Sequence, residues 1–308
     1  MLLASPTVWV EHLAANGMLT AEMAVPLYLR LLASLLTGAA LLCDFSLPVE
    51  HFMGCVVKMR GGNYNPALSS ELRGGAATTM TGFGRLSSIV TLIKRVKEQR
   101  LPGSYLEAGV WRGGMSIMAT ASLQLYGLGA TPVYLCDSFQ GLPLPRKGSL
   151  RHDEKGYSKF NSTMAVGMET VLRNFDLFGV PRHAVTAVPG YFVDALPPLR
   201  ASLLAKQENI AVLRMDGDMY DSTIDILYNL YDLVVVGGYV VVDDFGWGSG
   251  ASLRMSNQTA RSTFGAKMAV LDFRQKHGIE DGEHPMRDID GLTVVKIPSC
   301  LVSRATSL

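Results

Sequence analysis

From about residue 87 onward, the apolar positions of this chain switch between short unbroken runs and spacings of three and four. The spaced segments predict helices over 87–99, 115–126, 168–178, 195–207, 220–233 and 265–277. The unbroken runs predict strands over 104–110, 133–136, 184–188, 210–215, 236–242 and 292–297. Leu101-Pro102-Gly103 separates the first helix from the first strand, because proline removes a helical donor and glycine loosens the backbone. Regular alternation of this kind implies an α/β fold with a parallel, doubly wound, Rossmann-like sheet. Residues 1–75 read as helices followed by loop, closing on the turn-prone Gly61-Gly62-Asn63-Tyr64-Asn65-Pro66 and Gly74-Gly75. They are expected to form a helical N-terminal extension to the α/β domain over 76–308.

Two of the strand runs end in acids: Leu213-Arg214-Met215-Asp216-Gly217-Asp218 and Val240-Val241-Val242-Asp243-Asp244-Phe245. A buried parallel strand has this form when it delivers carboxylates to the carboxyl edge of its sheet, where open α/β sheets bind ligands. The helix over 220–233 would join the two strands by one crossover and make them neighbours. Asp216, Asp243 and Asp244 then converge. Crowded carboxylates raise one another's pKa, and a hard divalent cation relieves the repulsion; Mg2+ suits a set of oxygen ligands. The plainer alternative makes one of the acids an N-cap of the next helix, a role open to Ser222 or Asp218.

Upstream, Tyr105-Leu106-Glu107-Ala108-Gly109-Val110-Trp111-Arg112-Gly113-Gly114 is a strand running through a glycine-containing turn into a helix. Glycines admit a ligand close to the backbone, and the helix N-terminus offers amide hydrogens. The spacing is not GxGxxG, and the acid at 107 would repel a pyrophosphate, so a nucleoside carrying a cationic centre suits the turn better. The alternative is a tight turn that packs helix on strand. Asp137, in Leu135-Cys136-Asp137-Ser138-Phe139, ends the second strand at the interval expected of a ribose-binding carboxylate. Together the two segments favour an adenosine-type ligand and leave NAD and S-adenosylmethionine both open. Two long polar segments, 146–160 and 246–261, follow strand ends and read as lids or substrate loops.

Composition narrows the class further. A net charge of +1 over 308 residues leaves no electrostatic footprint for nucleic acid, and 48% hydrophobic against 18% charged residues is ordinary for a folded domain. Cys43, Cys55, Cys136 and Cys300 lack CxxC spacing, and nothing at the N-terminus resembles a secretory leader, so a reducing, cytoplasmic location is expected. The oily stretch 24–42 carries Arg30, and its uncharged part is shorter than the roughly 20 residues a spanning helix needs. A buried or oligomer-forming helix is expected there, hence a homo-oligomer and no membrane partner. The six histidines are unpaired at metal spacing, and no GxSxG elbow or P-loop occurs, which excludes a zinc site, a serine hydrolase and an NTPase.

Ordered blocks from about residue 27 to 297 resemble the macrocin O-methyltransferase family. They comprise Leu27-Tyr28-Leu29-Arg30-Leu31-Leu32, Thr79-Met80-Thr81-Gly82 with Arg85-Leu86, Glu107 to Gly114, and Asp137-Ser138-Phe139-Gln140-Gly141-Leu142-Pro143. Gly190-Tyr191-Phe192 with Asp194-Ala195-Leu196-Pro197, Leu213 to Thr223, and Gly237-Gly238-Tyr239 to Asp244 complete them. The resemblance implies a class I methyltransferase sheet and transfer of a methyl group from S-adenosyl-L-methionine to a hydroxyl of a small molecule, with Mg2+. It implies that Glu107, Gly109, Val110, Gly113, Asp137, Ser138, Tyr191 and Phe192 hold the cofactor, with Thr79 and Met80 closing over its methionine end. Asp216, Asp243 and Asp244 would hold Mg2+; Asp216 and Asp218 are the expected catalytic residues, Asp218 as the base by its place two residues beyond a ligand, with Lys267 a weaker candidate. Metal and cofactor contacts are expected to be separate. The chain departs from the family where Ala108 replaces a usual Thr, Tyr191 a commoner Trp and Phe245 a usual Tyr, and 246–261 reads as an insertion. A catalytically silent cofactor-binding scaffold and an NAD-dependent oxidoreductase are the rival functions; neither uses paired acids at 243 and 244.

Overall fold

The structure, a computed structural model, describes residues 6–15, 20–37, 77–148, 153, 161–243, 245, 265–280, 286–289 and 292–296. The chain divides into two compact units. Unit 1 comprises Met1–Ile93, Arg112–Ala130 and Glu169–Ala184; unit 2 comprises Lys94–Trp111, Thr131–Met168 and Val185–Leu308.

Unit 1 is helical. It contains α1 (Pro6–Ala15), α2 (Ala21–Leu36), most of α3 (Phe83–Gln99), α4 (Gly114–Leu125) and nearly all of α5 (Met168–Leu177). Ala24, Tyr28, Leu32 and Leu36 of α2 recur every fourth residue and are all buried, which puts them on one stripe. Helix α4 is buried without a break from Gly114 to Leu123, as a helix apolar or small on every side must be. The described part of the oily N-terminal stretch thus lies in a helix with a buried stripe. Among the described residues, no helix is long and apolar enough to cross a membrane.

Unit 2 holds the sheet. Strands β1 (Ser104–Ala108), β2 (Val133–Asp137), β3 (Thr186–Pro189), β4 (Ile210–Met215), β5 (Val234–Val242), β6 (Met286–Ile289) and β7 (Leu292–Lys296) lie in the order β3-β2-β1-β4-β5-β7-β6. The first five are parallel, and β7 pairs antiparallel with both β5 and β6. The parallel, doubly wound sheet expected from the alternation forms over β1 to β5, and β7 and β6 extend it antiparallel at this edge. Strand β6 escapes the periodicity because it is short and polar, although Asp290-Gly291 in the sequence is a strong hairpin signal.

Alternation along the paired strands sorts the sheet into two faces. Leu106, Ala108, Tyr134, Cys136, Leu213, Met215, Val240 and Val242 share one face, and it is the apolar core. Leu196, Leu199 and Leu203 of α6 (Phe192–Ala205), Ile226, Leu227 and Leu230 of α7 (Tyr220–Leu230), and Val270 and Phe273 of α8 (Gly265–Lys276) pack on it. Burial in this core pushes the Cys136 thiol well above its ordinary pKa, so it behaves as a small hydrophobe. The opposite face carries Glu107, Asp137 and Arg214.

Candidate active site

The strand order reverses between β1 and β4, which makes their carboxyl ends the topological switch point of the sheet. The two ends touch there. Asp216 donates its amide hydrogen to the carbonyl of Ala108 at 2.7 Å, and a Cβ on Gly109 would collide with the carbonyl of Asp216. With φ at +94°, position 109 is closed to any other residue on both counts.

Asp137 organises the turn from the next strand. Its Oδ2 accepts the amide hydrogens of Val110 and Trp111 at 2.7 and 3.2 Å, and its Oδ1 accepts that of Phe139 at 2.8 Å. A carboxylate offers about four acceptor sites, and these bonds occupy three of them among the described residues. Ser138 turns inward, donating to the carbonyl of Gly141 and accepting from Gln140. The amide of Gly190 reaches the carbonyl of Asp137, which sets Tyr191 and Phe192 at the start of α6 beside it. Trp111, Phe139 and Asp218 all have positive φ without being glycine. Such strain, at the ends of three strands that meet at one edge, is characteristic of functional sites.

Glu107, Asp137, Arg214, Asp216 and Asp243 occupy alternate positions in register and so lie on the same side of the sheet. Glu107 is the register partner of Arg214. The Arg214 side chain is 2% exposed; Nη1 donates to Glu107 at 2.6 Å, and Nη2 donates to Asp216 at 2.9 Å and to Asp243. Tyr105 completes the network by donating its hydroxyl to the other oxygen of Glu107 at 3.0 Å. Burial by itself would lower the pKa of Arg214; the three carboxylates outweigh it and hold the guanidinium charged. Burial, reinforced by Glu107, raises that of Tyr105.

Asp216 and Asp243 therefore meet on one nitrogen, while Asp244 lies outside the described residues. Among the described residues no group of three or more potential ligands is assembled for a metal ion. Arg214 ties Glu107, expected at the cofactor, to Asp216 and Asp243, expected at the metal. Arg214 is the residue that sequence reasoning passed over. A lone cation inside an apolar strand, two positions before an acid on the same face, was the available signal.

An acid of the 216–218 turn as the cap of α7 is also not what forms. Its first amide, Tyr220, donates to Asp153 at 2.9 Å, and Met219 at the N-cap makes no side-chain bond. Asp153 and Arg146 belong to the first expected lid; Arg146 pairs with Asp225 and approaches Asp221 at 3.9 Å. The 246–261 segment lies outside the described residues. Lys267, the weaker base candidate, sits 5.3 Å from the centre of the Phe245 ring.

In unit 1, Thr79 is buried and bonds the Thr81 hydroxyl at 2.9 Å, and Met80 is exposed. Gly113 caps α4 with φ at +86°, and Gly114 donates to the carbonyl of Thr78 at 3.1 Å. A Cβ on Gly114 would come within 2.6 Å of that carbonyl, so this glycine serves chain packing.

Against known proteins, a family model described as Macrocin-O-methyltransferase (TylF) matches residues 67–296. The chain belongs to the macrocin O-methyltransferase family. It is an O-methyltransferase, which sets aside both the silent scaffold and the oxidoreductase. The O-methyltransferase is 35% identical over 219 residues to the 8-demethyl-8-(2,3-dimethoxy-alpha-L-rhamnosyl)-tetracenomycin-C 4'-O-methyltransferase of Streptomyces olivaceus, covering 71% of this chain and 74% of that one. It is 39% identical over 189 residues to the demethyldecarbamoylnovobiocin O-methyltransferase of Streptomyces niveus, covering 60% and 70%. The solved structure of the O-methyltransferase NovP is 30% identical, with a TM-score of 0.67 over 89% of this chain and 99% of NovP. Its likeness agrees with the α/β class I methyltransferase sheet.

Proposed function

We propose that this enzyme moves the methyl group of S-adenosyl-L-methionine to one hydroxyl of a neighbouring pair on a sugar borne by a natural product, at a Mg2+ site formed by Asp216, Asp243 and Asp244. The donor follows from family membership. One observation carries the metal: Asp216 and Asp243 come together at the carboxyl edge, beside the Gly109 turn. The cluster suits a hard cation on charge and donor type, since three carboxylates face one guanidinium and every further donor is oxygen. The sugar is supported by the rhamnosyl group in the name of the Streptomyces olivaceus relative.

When bound, Mg2+ supplies a Lewis acid that makes an acceptor hydroxyl easier to deprotonate and helps to orient it. The chain's own residues do the rest. Gly109 lets the ends of β1 and β4 close against each other, and Asp137 holds the turn while keeping one acceptor site for a ribose hydroxyl. Asp218, two residues beyond Asp216, takes the hydroxyl proton as the new carbon–oxygen bond forms and the carbon–sulfur bond breaks. Nothing more than alignment, water exclusion and one proton transfer is required.

Incubation with methyl-labelled S-adenosylmethionine and a panel of rhamnosyl glycosides tests both halves. Label should enter glycosides that carry a free hydroxyl pair, stop on chelation, and resume with added Mg2+. Full turnover in excess chelator removes the metal; preference for simple phenols removes the sugar.

A further inference from the structure

We infer that Arg214 is a positioning residue for methyl transfer: a fixed, buried cation whose planar fork sets the separation of Asp216 and Asp243 and ties them to Glu107. The inference rests on the metal site proposed above. Stability does not explain this arginine, because well-packed apolar residues usually serve a strand interior as well as or better than a buried ion network. Among the described residues the Nε of Arg214 is buried with no acceptor. What the guanidinium provides is geometry. Its two terminal nitrogens reach acids that end three adjacent strands, β1, β4 and β5, from within one rigid plane. Each aspartate meets the fork through Oδ2 at the sheet edge. A lysine would keep the charge and lose the plane, having only a point cation on a flexible stem.

Arg214→Lys separates these two properties. Mg2+ is titrated calorimetrically into wild type and variant, each loaded with S-adenosylhomocysteine. S-adenosylhomocysteine affinity, thermal melting, kcat and KM are measured alongside. Arg214→Lys should weaken Mg2+ binding and lower kcat by about 10- to 100-fold, as loss of a group that orients metal ligands does. S-adenosylhomocysteine affinity should stay within about threefold, because the Asp137 turn is left intact. Wild-type Mg2+ affinity in the variant overturns the inference and leaves the metal site standing. Parallel loss of Mg2+ affinity, cofactor affinity and melting temperature overturns it too, since that pattern marks a merely structural residue. Wild type without a Mg2+ heat overturns the metal site itself, and the inference with it. If Arg214→Lys does not fold, Glu107→Gln carries the test in cofactor-free protein, since Glu107 is itself expected at the cofactor: it removes one anchor of the fork without altering a proposed Mg2+ ligand, and should still weaken Mg2+ binding. Unchanged binding there overturns the inference.

Discussion

Val110 donates its amide hydrogen to Oδ2 of Asp137 at 2.7 Å, so the acid that ends β2 holds the turn that ends β1. Trp111 and Phe139 add two further backbone bonds to the same carboxylate. Asp137→Ala strands these donors and should cost about 2–3 kcal/mol in urea denaturation without any ligand present. S-adenosylhomocysteine affinity should fall as well, with Asp137→Asn intermediate in both measurements. Unaltered stability would mean that the turn forms without the acid.

Gly109 and Gly127 form a matched pair of positive-φ glycines. A Cβ at 109 meets the backbone of Asp216, whereas a Cβ at 127 meets nothing within 4 Å among the described residues. Gly127→Ala should cost about 1 kcal/mol, the conformational strain alone. Gly109→Ala adds a backbone collision and should cost roughly 3 kcal/mol or more, with loss of cofactor binding. Equal effects from the two, by chemical denaturation, would contradict the close approach of β1 and β4.

The three acids around Arg214 are not equivalent to the arginine. Losing Asp243 leaves the guanidinium still facing Glu107 and Asp216, so Asp243→Asn should cost about 1–3 kcal/mol in chelator. Arg214→Met leaves a buried cluster of carboxylates with no cation and should cost about 3–5 kcal/mol. Asp216→Asn should cost least, because that side chain is 29% exposed. Denaturation curves that rank these variants differently would show that the charge is balanced elsewhere.

His277 gives the protein a pH-dependent term remote from the acids. Its ring lies 4.2 Å from that of Phe273, its Nε2 is buried without a hydrogen-bond partner among the described residues, and burial followed by nearby Lys276 lowers its pKa below 6.5. The folded state therefore binds this proton less readily than the unfolded chain. Its contribution is complete above pH 6.5 and declines as pH falls through that value. Melting temperatures between pH 5.5 and 7.5 should fall less for His277→Phe than for wild type; identical slopes would place the sensitivity on other groups.

Helix and strand positions in this chain follow from periodicity, which is local, and the acidic strand ends and the Gly109 turn are visible without any neighbour. The sequence by itself thus determined an α/β sheet with carboxylates on its carboxyl edge, and enough ordered motif to name a methyl-transfer family. Pairing is non-local, and no pattern within β4 states which residue of β1 lies opposite Arg214. Only the tertiary structure decided that Glu107 does, that β7 runs antiparallel, and that Asp153, 67 residues away in sequence, binds the first amide of α7. A strand's own periodicity says which residues share a side, but register across strands is what turns a cation and three acids into one buried network.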